Sequence, residues 1–468
     1  MKRMPFLLLP LLLAANLFAQ TTPGKQLTLK QAIDAALEKN IEILLAQNTL
    51  EAQQSAVLSA YGNFLPSISA SGGYSNSDSR SPGSAADYSF PTSIRYTPTG
   101  GSLQTGTIST YSPGFSGQLT KTSYSAGMGA SLILFDGLNN TSSLNKASSI
   151  AVSNEYSLYR TRQRIVFQTQ SLYLQVLLNK SLLKVSEDNL KRSQQQLQRI
   201  VESNKVGSVA AADVYRQQVT TANDELALIR AQNTYDNSKA DLLFLLSLDV
   251  SQEYDISDPG LIVEADQAMP ADEKAAYSDY NQLVSRAVAS RPDYQEKKYG
   301  MESAESDVTI ARSAYFPTIS ANVGYSFDNA QLSGLSDNKT LSWKINFSLP
   351  LFDGFQTNAR VQAAKLALRN SEQVVAQTER QVQVDVRKAK LNFESAQKQL
   401  EVSLKTVISA VEDRRIAEER YNLGAGILLD LLTANANYTQ ALSNKVTAQY
   451  NLVLAKQQLK YVVGAEKY

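Results

Sequence analysis

Cysteine and histidine are both absent from this 468-residue chain, and tryptophan occurs once. Without cysteine there is no disulfide, no thiol nucleophile and no thiol to carry a lipid anchor. Without histidine, the commonest general base and the commonest metal ligand are missing. Serine–histidine triads, HExxH zinc sites and Cys/His zinc sites are therefore excluded. Carboxylate-pair, lysine or tyrosine chemistry stays open on composition alone. Charge of one sign is also lacking: 45 basic residues face 44 acidic ones. A dedicated nucleic-acid binder carries a large basic excess, so that class is disfavoured. No stretch approaches the 18 or so consecutive apolar residues that a membrane-crossing helix requires.

What is present begins with an export signal. Lys2 and Arg3 precede an apolar run from Phe6 to Leu13, and a cleavage point follows Ala19. The short run reads as a secretory signal peptide over residues 1–19. Its removal takes away Lys2 and Arg3 and leaves a mature charge of about −1. An exported chain with no membrane helix is either soluble or crosses a membrane as a β-barrel.

The rest reads as two copies of one unit. Phe64-Leu65-Pro66-Ser67-Ile68-Ser69-Ala70 matches Tyr315-Phe316-Pro317-Thr318-Ile319-Ser320-Ala321 at a shift of 251. Leu134-Phe135-Asp136-Gly137 matches Leu351-Phe352-Asp353-Gly354 at a shift of 217, which also aligns Gly207 with Gly424 and Asp213 with Asp430. Repeat 1 covers 20–248, repeat 2 covers 280–468, and 249–279 is an Asp- and Pro-containing connector.

Each repeat holds two strands. Over 341–349, Leu341, Trp343, Ile345, Phe347 and Leu349 alternate with Ser342, Lys344, Asn346 and Ser348. Residues 318–327 alternate likewise, and weaker versions occupy 66–74 and 123–134, where Tyr124, Ala126, Met128, Ala130, Leu132 and Leu134 share one side. About ten residues suits a tilted strand crossing a bilayer. Tyr74, Tyr124, Tyr325, Phe327 and Trp343 cluster toward one end of the strands, and Phe64, Phe135, Tyr315, Phe316 and Phe352 toward the other. Such levels look like interfacial girdles, although half-buried strands of a soluble sheet would alternate in the same way. Residues 75–122, rich in Ser, Thr, Gly, Pro and Tyr, read as a long solvated loop, with 328–340 as its shorter counterpart.

Residues 138–206 and 355–423 contain no Gly or Pro over 69 residues each, enough for helices of roughly 100 Å. Apolar positions recur in sevens at Leu158, Ile165 and Leu172, then Val176, Leu183, Leu190 and Leu197, and again at Val361, Leu368, Val375 and Val382. This is a coiled-coil period with an inserted step. Gly207 and Gly424 stand where helices end, and shorter helices follow over 211–247 and 428–463. Ala434, Ala441, Ala448 and Ala455 form either a close-packing stripe or a run of generic helix formers. One further helix per copy is expected over 29–60 and 280–314. Asp136 and Asp353 read as helix caps at the strand exits.

Four strands cannot close a barrel, and their open edges would invite aggregation. Symmetric association is the simplest source of further strands. The paired repeat, the Leu-Pro-Ser-Ile and Phe-Pro-Thr-Ile strand starts, the Leu-Phe-Asp-Gly exits and the Tyr421-Asn422-Leu423-Gly424 tip together resemble the TolC family of outer-membrane efflux proteins, over about 25–464. The resemblance implies a mainly α fold with membrane β: a homotrimer with a twelve-stranded barrel in the outer membrane and a long α-helical barrel in the periplasm. It implies an exit duct for efflux or type I secretion, not an enzyme, needing no cofactor. Its partners would be an inner-membrane pump, a periplasmic adaptor (membrane fusion) protein and outer-membrane lipid. Lacking a cysteine after the signal, the chain would join the unlipidated branch.

The resemblance also points to residues. The family's acidic ring has the form Asp-x-x-Asp. Here Asp430-Leu431-Leu432-Thr433 keeps the first acid and replaces the second with Thr433, implying a weaker cation ring. Asp near a helix N-terminus is also what the dipole favours without any further role. Of the family's links between hairpins, Asp213 and Tyr421 are present, while Gly426 replaces the arginine. An Asp213–Tyr421 hydrogen bond is therefore the expected latch. Val206, Gly207, Ser208, Leu423, Gly424 and Ala425 form the tips that adaptor hairpins would meet. Three other readings are weaker. A periplasmic adaptor has one hairpin, a surface adhesin places its barrel at one chain end, and a carboxylate hydrolase needs a pocket that long helices build poorly.

Overall fold

The computed structural model describes residues 25–81, 88–96, 100–102, 104–112, 117–257, 277 and 279–465. The expected signal peptide and most of the connector lie outside them. The chain forms two compact units: one of Met1–Gln54, Ser149–Glu302 and Arg369–Tyr468, the other of Ser55–Ser148 and Ser303–Leu368.

The elements in order are β1 (Lys25–Leu27), α1 (Leu29–Lys39), α2 (Ile41–Gly62), β2 (Ser67–Ser81), β3 (Tyr88–Tyr96), β4 (Gln104–Ser112), β5 (Gly117–Phe135), α3 (Asn139–Lys205) and α4 (Ala211–Leu245). There follow β6 (Tyr254–Ile256), α5 (Tyr280–Ser290), α6 (Pro292–Ser313), β7 (Thr318–Asn329), β8 (Lys339–Ser348), α7 (Gln356–Asn422) and α8 (Leu428–Val463). The starts of α5 and α6 stand 251 residues after those of α1 and α2, and the starts of α7 and α8 stand 217 after those of α3 and α4.

Two expectations are corrected. The single helices over 29–60 and 280–314 are each broken once, at Asn40 and at Arg291. Both breaks are extended residues held by side-chain bonds. Asn40 accepts from the Glu42 amide and donates to the Leu245 carbonyl. Arg291, with only 4% of its side chain exposed, donates to Asp293 and Asp385. Neither contact is visible in helical periodicity. The loop expected over 75–122 also contains strand: β2 and β5 stay paired out to Ser81 and Gly117, and β3 pairs with β4 as a separate two-stranded sheet. Ser and Thr are read as loop formers, but an antiparallel partner supplies the hydrogen bonds that make them strand.

The first unit has two buried clusters. Leu27, Ala32, Ile43, Ile165, Tyr173, Leu242 and Ile256 lie in one, and Leu283, Val382, Val386, Phe393, Leu459 and Val463 in the other. The parallel β1–β6 pair sits in the first, where the Tyr173 hydroxyl donates to the Leu27 carbonyl at 2.9 Å. Ala434, Ala441, Ala448 and Ala455 are all buried, so the alanine stripe is a packing surface.

The second unit contains a four-stranded antiparallel sheet in the order β2–β5–β7–β8. Directly paired residues share a face. The register sets Ile68, Ala70 and Tyr74 against Ala130, Met128 and Tyr124. Ala130 and Met128 oppose Val323 and Tyr325, which oppose Trp343 and Leu341. One face is thus apolar across four strands. The other carries Ser69, Ser71, Ser125, Gly129, Asn322, Gly324, Ser342 and Asn346. Leu134 departs from its expected side, because a bulge between Ile133 and Phe135 brings Phe135 opposite Ile319.

Candidate functional site

Each long helix pair turns at a glycine in the left-handed region, Gly207 (φ 79°) in one and Gly424 (φ 71°) in the other. At the second turn the Ala425 amide bonds to the Arg420 carbonyl at 2.8 Å and the Gly424 amide to Tyr421 at 3.0 Å. A side chain would find open space here, so it is the left-handed backbone, not crowding, that favours glycine at this helix end. Val206, Gly207, Ser208, Leu423, Gly424 and Ala425 are all exposed, with Val206 at 81% and Leu423 at 83%. Two isolated aliphatic side chains thus stand at equivalent points of the two tips.

Beside the tips lies an open cavity of about 880 Å³ whose walls include Arg199, Glu202, Asp213, Arg216, Tyr421 and Ile427. Asp213 and Tyr421 are brought to one cavity, as expected, but not into the expected bond. Asp213 accepts from Arg216 at 2.6 Å, one turn along its own helix. The Tyr421 hydroxyl is buried without a hydrogen-bond partner. Burial first, then the Asp213 carboxylate, push the Tyr421 phenol upward, while Arg199 acts in the opposite direction. The expected latch is replaced because a neighbouring arginine at i+3 reaches the carboxylate more easily than a residue on another hairpin.

Among the described residues, Arg199–Glu418 at 3.4 Å joins the hairpins as an ion pair. Further along, Thr439 donates to Asn189 at 2.8 Å, and Asn189 donates to Asp224 at 2.8 Å. Arg192 and Arg414 both sit over the Tyr438 ring, at 5.4 and 4.5 Å. The sequence signal for these links was the placing of polar residues on otherwise periodic helices, but periodicity does not say which helix they face.

Asp430 lies in the first turn of α8 and is exposed, with no ion-pair partner among the described residues. Thr433, also exposed, donates back to the Leu429 carbonyl. Neither borders the cavity that Asp213 and Tyr421 share. Among the described residues no cluster of acids could hold a metal ion.

On the sheet, Tyr74 packs on Tyr124 with ring centres 5.0 Å apart, and Tyr325 meets Phe327 edge-on at 4.9 Å. Trp343 is paired with Val323 and Tyr74 with Tyr124, so these aromatics climb the sheet diagonally and do not share one row. Ile68, Met128, Trp343, Phe347 and Phe352 are each more than half exposed. No described helix is long and apolar enough to cross a membrane.

The chain thus combines an apolar, exposed face on a four-stranded antiparallel sheet with two very long helical hairpins. The family model "Outer membrane efflux protein" matches residues 32–247 and 283–465. The probable efflux pump outer membrane protein TtgC of Pseudomonas putida is 24% identical over 424 residues, covering 88% of this chain and 78% of that protein. The outer membrane protein TolC of Vibrio cholerae is 22% identical over 327 residues, 69% of this chain and 72% of its own. Among solved structures, the outer-membrane channel OprN superposes with a TM-score of 0.75 at 17% identity, over 94% of this chain and 90% of that one. The chain belongs to the outer membrane efflux protein family, the TolC family, and is an outer-membrane exit channel with no enzymatic role.

Proposed function

We propose that three copies of this chain close their sheets into one twelve-stranded barrel and form the outer-membrane duct of a tripartite efflux or type I secretion system. The observation that carries this reading is the register. It locks one apolar face and one Ser/Gly/Asn face across all four strands, with both edge strands unpaired among the described residues. Lipid outside and water inside is the environment such a sheet suits. Chain organisation follows the sequence: signal peptide 1–19, repeat 1 over 20–248, connector 249–279, repeat 2 over 280–468. The diagonal of Tyr74, Tyr124, Tyr325, Phe327 and Trp343 becomes a level girdle once the strands tilt, and Phe352 belongs to the opposite girdle.

At the hairpin tips an adaptor docks, with Val206 and Leu423 as its apolar contacts. Three Asp430 carboxylates line one aperture, and Thr433 leaves that ring with a single layer of charge. Adaptor or pump contact opens the gate by separating hairpins held by Arg199–Glu418, with Asp213 and Tyr421 lining the space between them.

Heat-modifiable trimers from an outer-membrane fraction, giving discrete conductance in planar bilayers, are the expected result. A monomeric, non-conducting product would overturn the duct. Asp430→Asn should reduce cation preference, and an unchanged preference removes Asp430 from the aperture. Leu423→Asp should abolish co-purification of the adaptor and pump while leaving the trimer intact.

A further inference from the structure

Two residues outside glycine stand in the left-handed region where the strands turn into helices: Leu138 (φ 74°) and Phe355 (φ 65°). They occupy equivalent places, each following a left-handed glycine, Gly137 or Gly354, and each immediately preceding a 67-residue helix. Two local rules oppose these side chains. A residue just before a helix is favoured when small and polar, because it caps the free amides. A positive φ is favoured for Gly or Asn. Here the capping is displaced to the preceding acids. Asp136 accepts from the Asn140 amide at 2.9 Å, and Asp353 from the Thr357 amide at 2.7 Å. A large apolar residue therefore sits at this turn twice, with no local structural reason for it.

Neither side chain is spent on the protein's interior, since Leu138 is 57% and Phe355 71% exposed. Phe355 packs edge-on against Phe352, ring centres 5.5 Å apart, and Phe352 and Leu351 are themselves 77% and 91% exposed. Along the chain, the exposed Ile345 and Phe347 of β8 are followed by Leu349, Leu351, Phe352 and Phe355, all exposed as well. Strained residues that persist at conformational outliers point to a role outside the fold.

We propose that Leu138 and Phe355 are bilayer anchors: the left-handed turn holds each apolar side chain outward into the acyl–headgroup boundary on the helix side of the sheet. The turn thereby sets how deep the barrel sits. This rests on the reading that the sheet's apolar face meets lipid. Continuity along the chain with the exposed apolar residues of β8, the exposure of the side chains and their lack of any polar atom all select lipid over a protein partner.

Trp343 is the chain's only tryptophan, so fluorescence can be moved from site to site. In a Trp343→Phe background, Phe355→Trp and, separately, Leu138→Trp are reconstituted into phosphatidylcholine vesicles brominated at graded depths along the acyl chain. Both fluorophores should be quenched several-fold, most strongly by the shallow bromines. Val402→Trp, at an exposed position on α7, should be untouched. Emission from both turn sites that no bromolipid quenches would overturn the proposal. Blue-shifted emission would then mean cover by another copy, and red-shifted emission would mean open water. Trp343 of the unmodified protein reports separately on the sheet: if it too goes unquenched, the lipid-facing reading itself fails. Phe355→Gly supplies a second arm. Relief of the left-handed strain should raise the unfolding midpoint in detergent, whereas a fall would mean that the ring packs inside the protein.

Discussion

Arg291→Met tests how the helix break between α5 and α6 is held. The Arg291 side chain reaches Asp293 at 2.6 and 3.0 Å and Asp385 at 3.0 Å. Methionine keeps most of the volume and removes the charge. Breaking a buried ion pair from one side costs about 3–5 kcal/mol, because the remaining charge is stranded. Here Asp293 and Asp385 are 24% and 29% exposed, and Arg160 stays 3.5 Å from Asp293. Water and Arg160 each relieve part of the loss, so the expected cost is at the lower end, about 3 kcal/mol. Reversible denaturant unfolding in detergent, followed by far-ultraviolet circular dichroism, measures it as a lower midpoint at unchanged slope. A second signature is acid dependence. Burial on its own raises the Asp293 carboxyl, but the Arg291 bonds and the charges of Arg160 and Arg291 outweigh it, leaving Asp293 below its usual range. A lowered carboxylate stabilises the fold fully above its unfolded value of about 3.9 and ceases to do so as the pH falls through the lowered folded value. Arg291→Met should flatten that acid limb. A cost under about 1 kcal/mol with the limb intact would mean that the Arg291 bonds do not hold the break.

Gly137→Ala and Gly354→Ala should separate strain from collision. Both glycines are left-handed, but a Cβ on Gly137 would meet the Ser313 carbonyl at 2.6 Å and the Phe316 Cβ at 2.7 Å, while Gly354 is open. Thermal unfolding should show a loss of about 1 kcal/mol at Gly354 and clearly more at Gly137. Tyr421→Phe removes a buried hydroxyl that has no partner, so stability should hold or rise by up to about 1 kcal/mol, and single-channel conductance should match the unmodified protein. Arg199→Ala and Glu418→Ala break a pair exposed at 53% and 37%, so each should cost less than about 1 kcal/mol in stability. A double-mutant cycle then reports their coupling directly.

Much of the fold is legible in period and punctuation. The helices over 138–206 and 355–423 appear within one residue of their expected limits, because 69 residues without Gly or Pro leave nothing to stop a helix. The strands over 318–327 and 341–350 appear within two residues of theirs, because strict alternation states both strand and face. The helix breaks at Asn40 and Arg291 carry local signals that periodicity alone passes over, an Asn that caps the following helix and a Pro at 292 that disfavours a helical residue before it, whereas their bonds to Leu245 and Asp385 were hidden. The strands within 75–122 were hidden too, since Ser/Thr-rich segments become strand only when a partner is alongside. At the tips, Gly207 and Gly424 announced their turns, whereas the partners of Asp213 and Tyr421 did not announce themselves.

The tandem pattern, the long helices, the alternating strand faces and the glycine turns are written in the order of residues along the chain. All of these are local, set by backbone conformational preference and by spacings of two, three and a half, or seven residues. Which faces meet is settled only when the chain packs, and packing made three such choices. It buried the alanine stripe of α8, aligned four strands so that their apolar sides coincide, and gave Asp213 to Arg216 instead of Tyr421. It also held Leu138 and Phe355 left-handed against their own preference. Such choices are contests between partners distant in sequence, and distance and burial, which no single segment encodes, settle them.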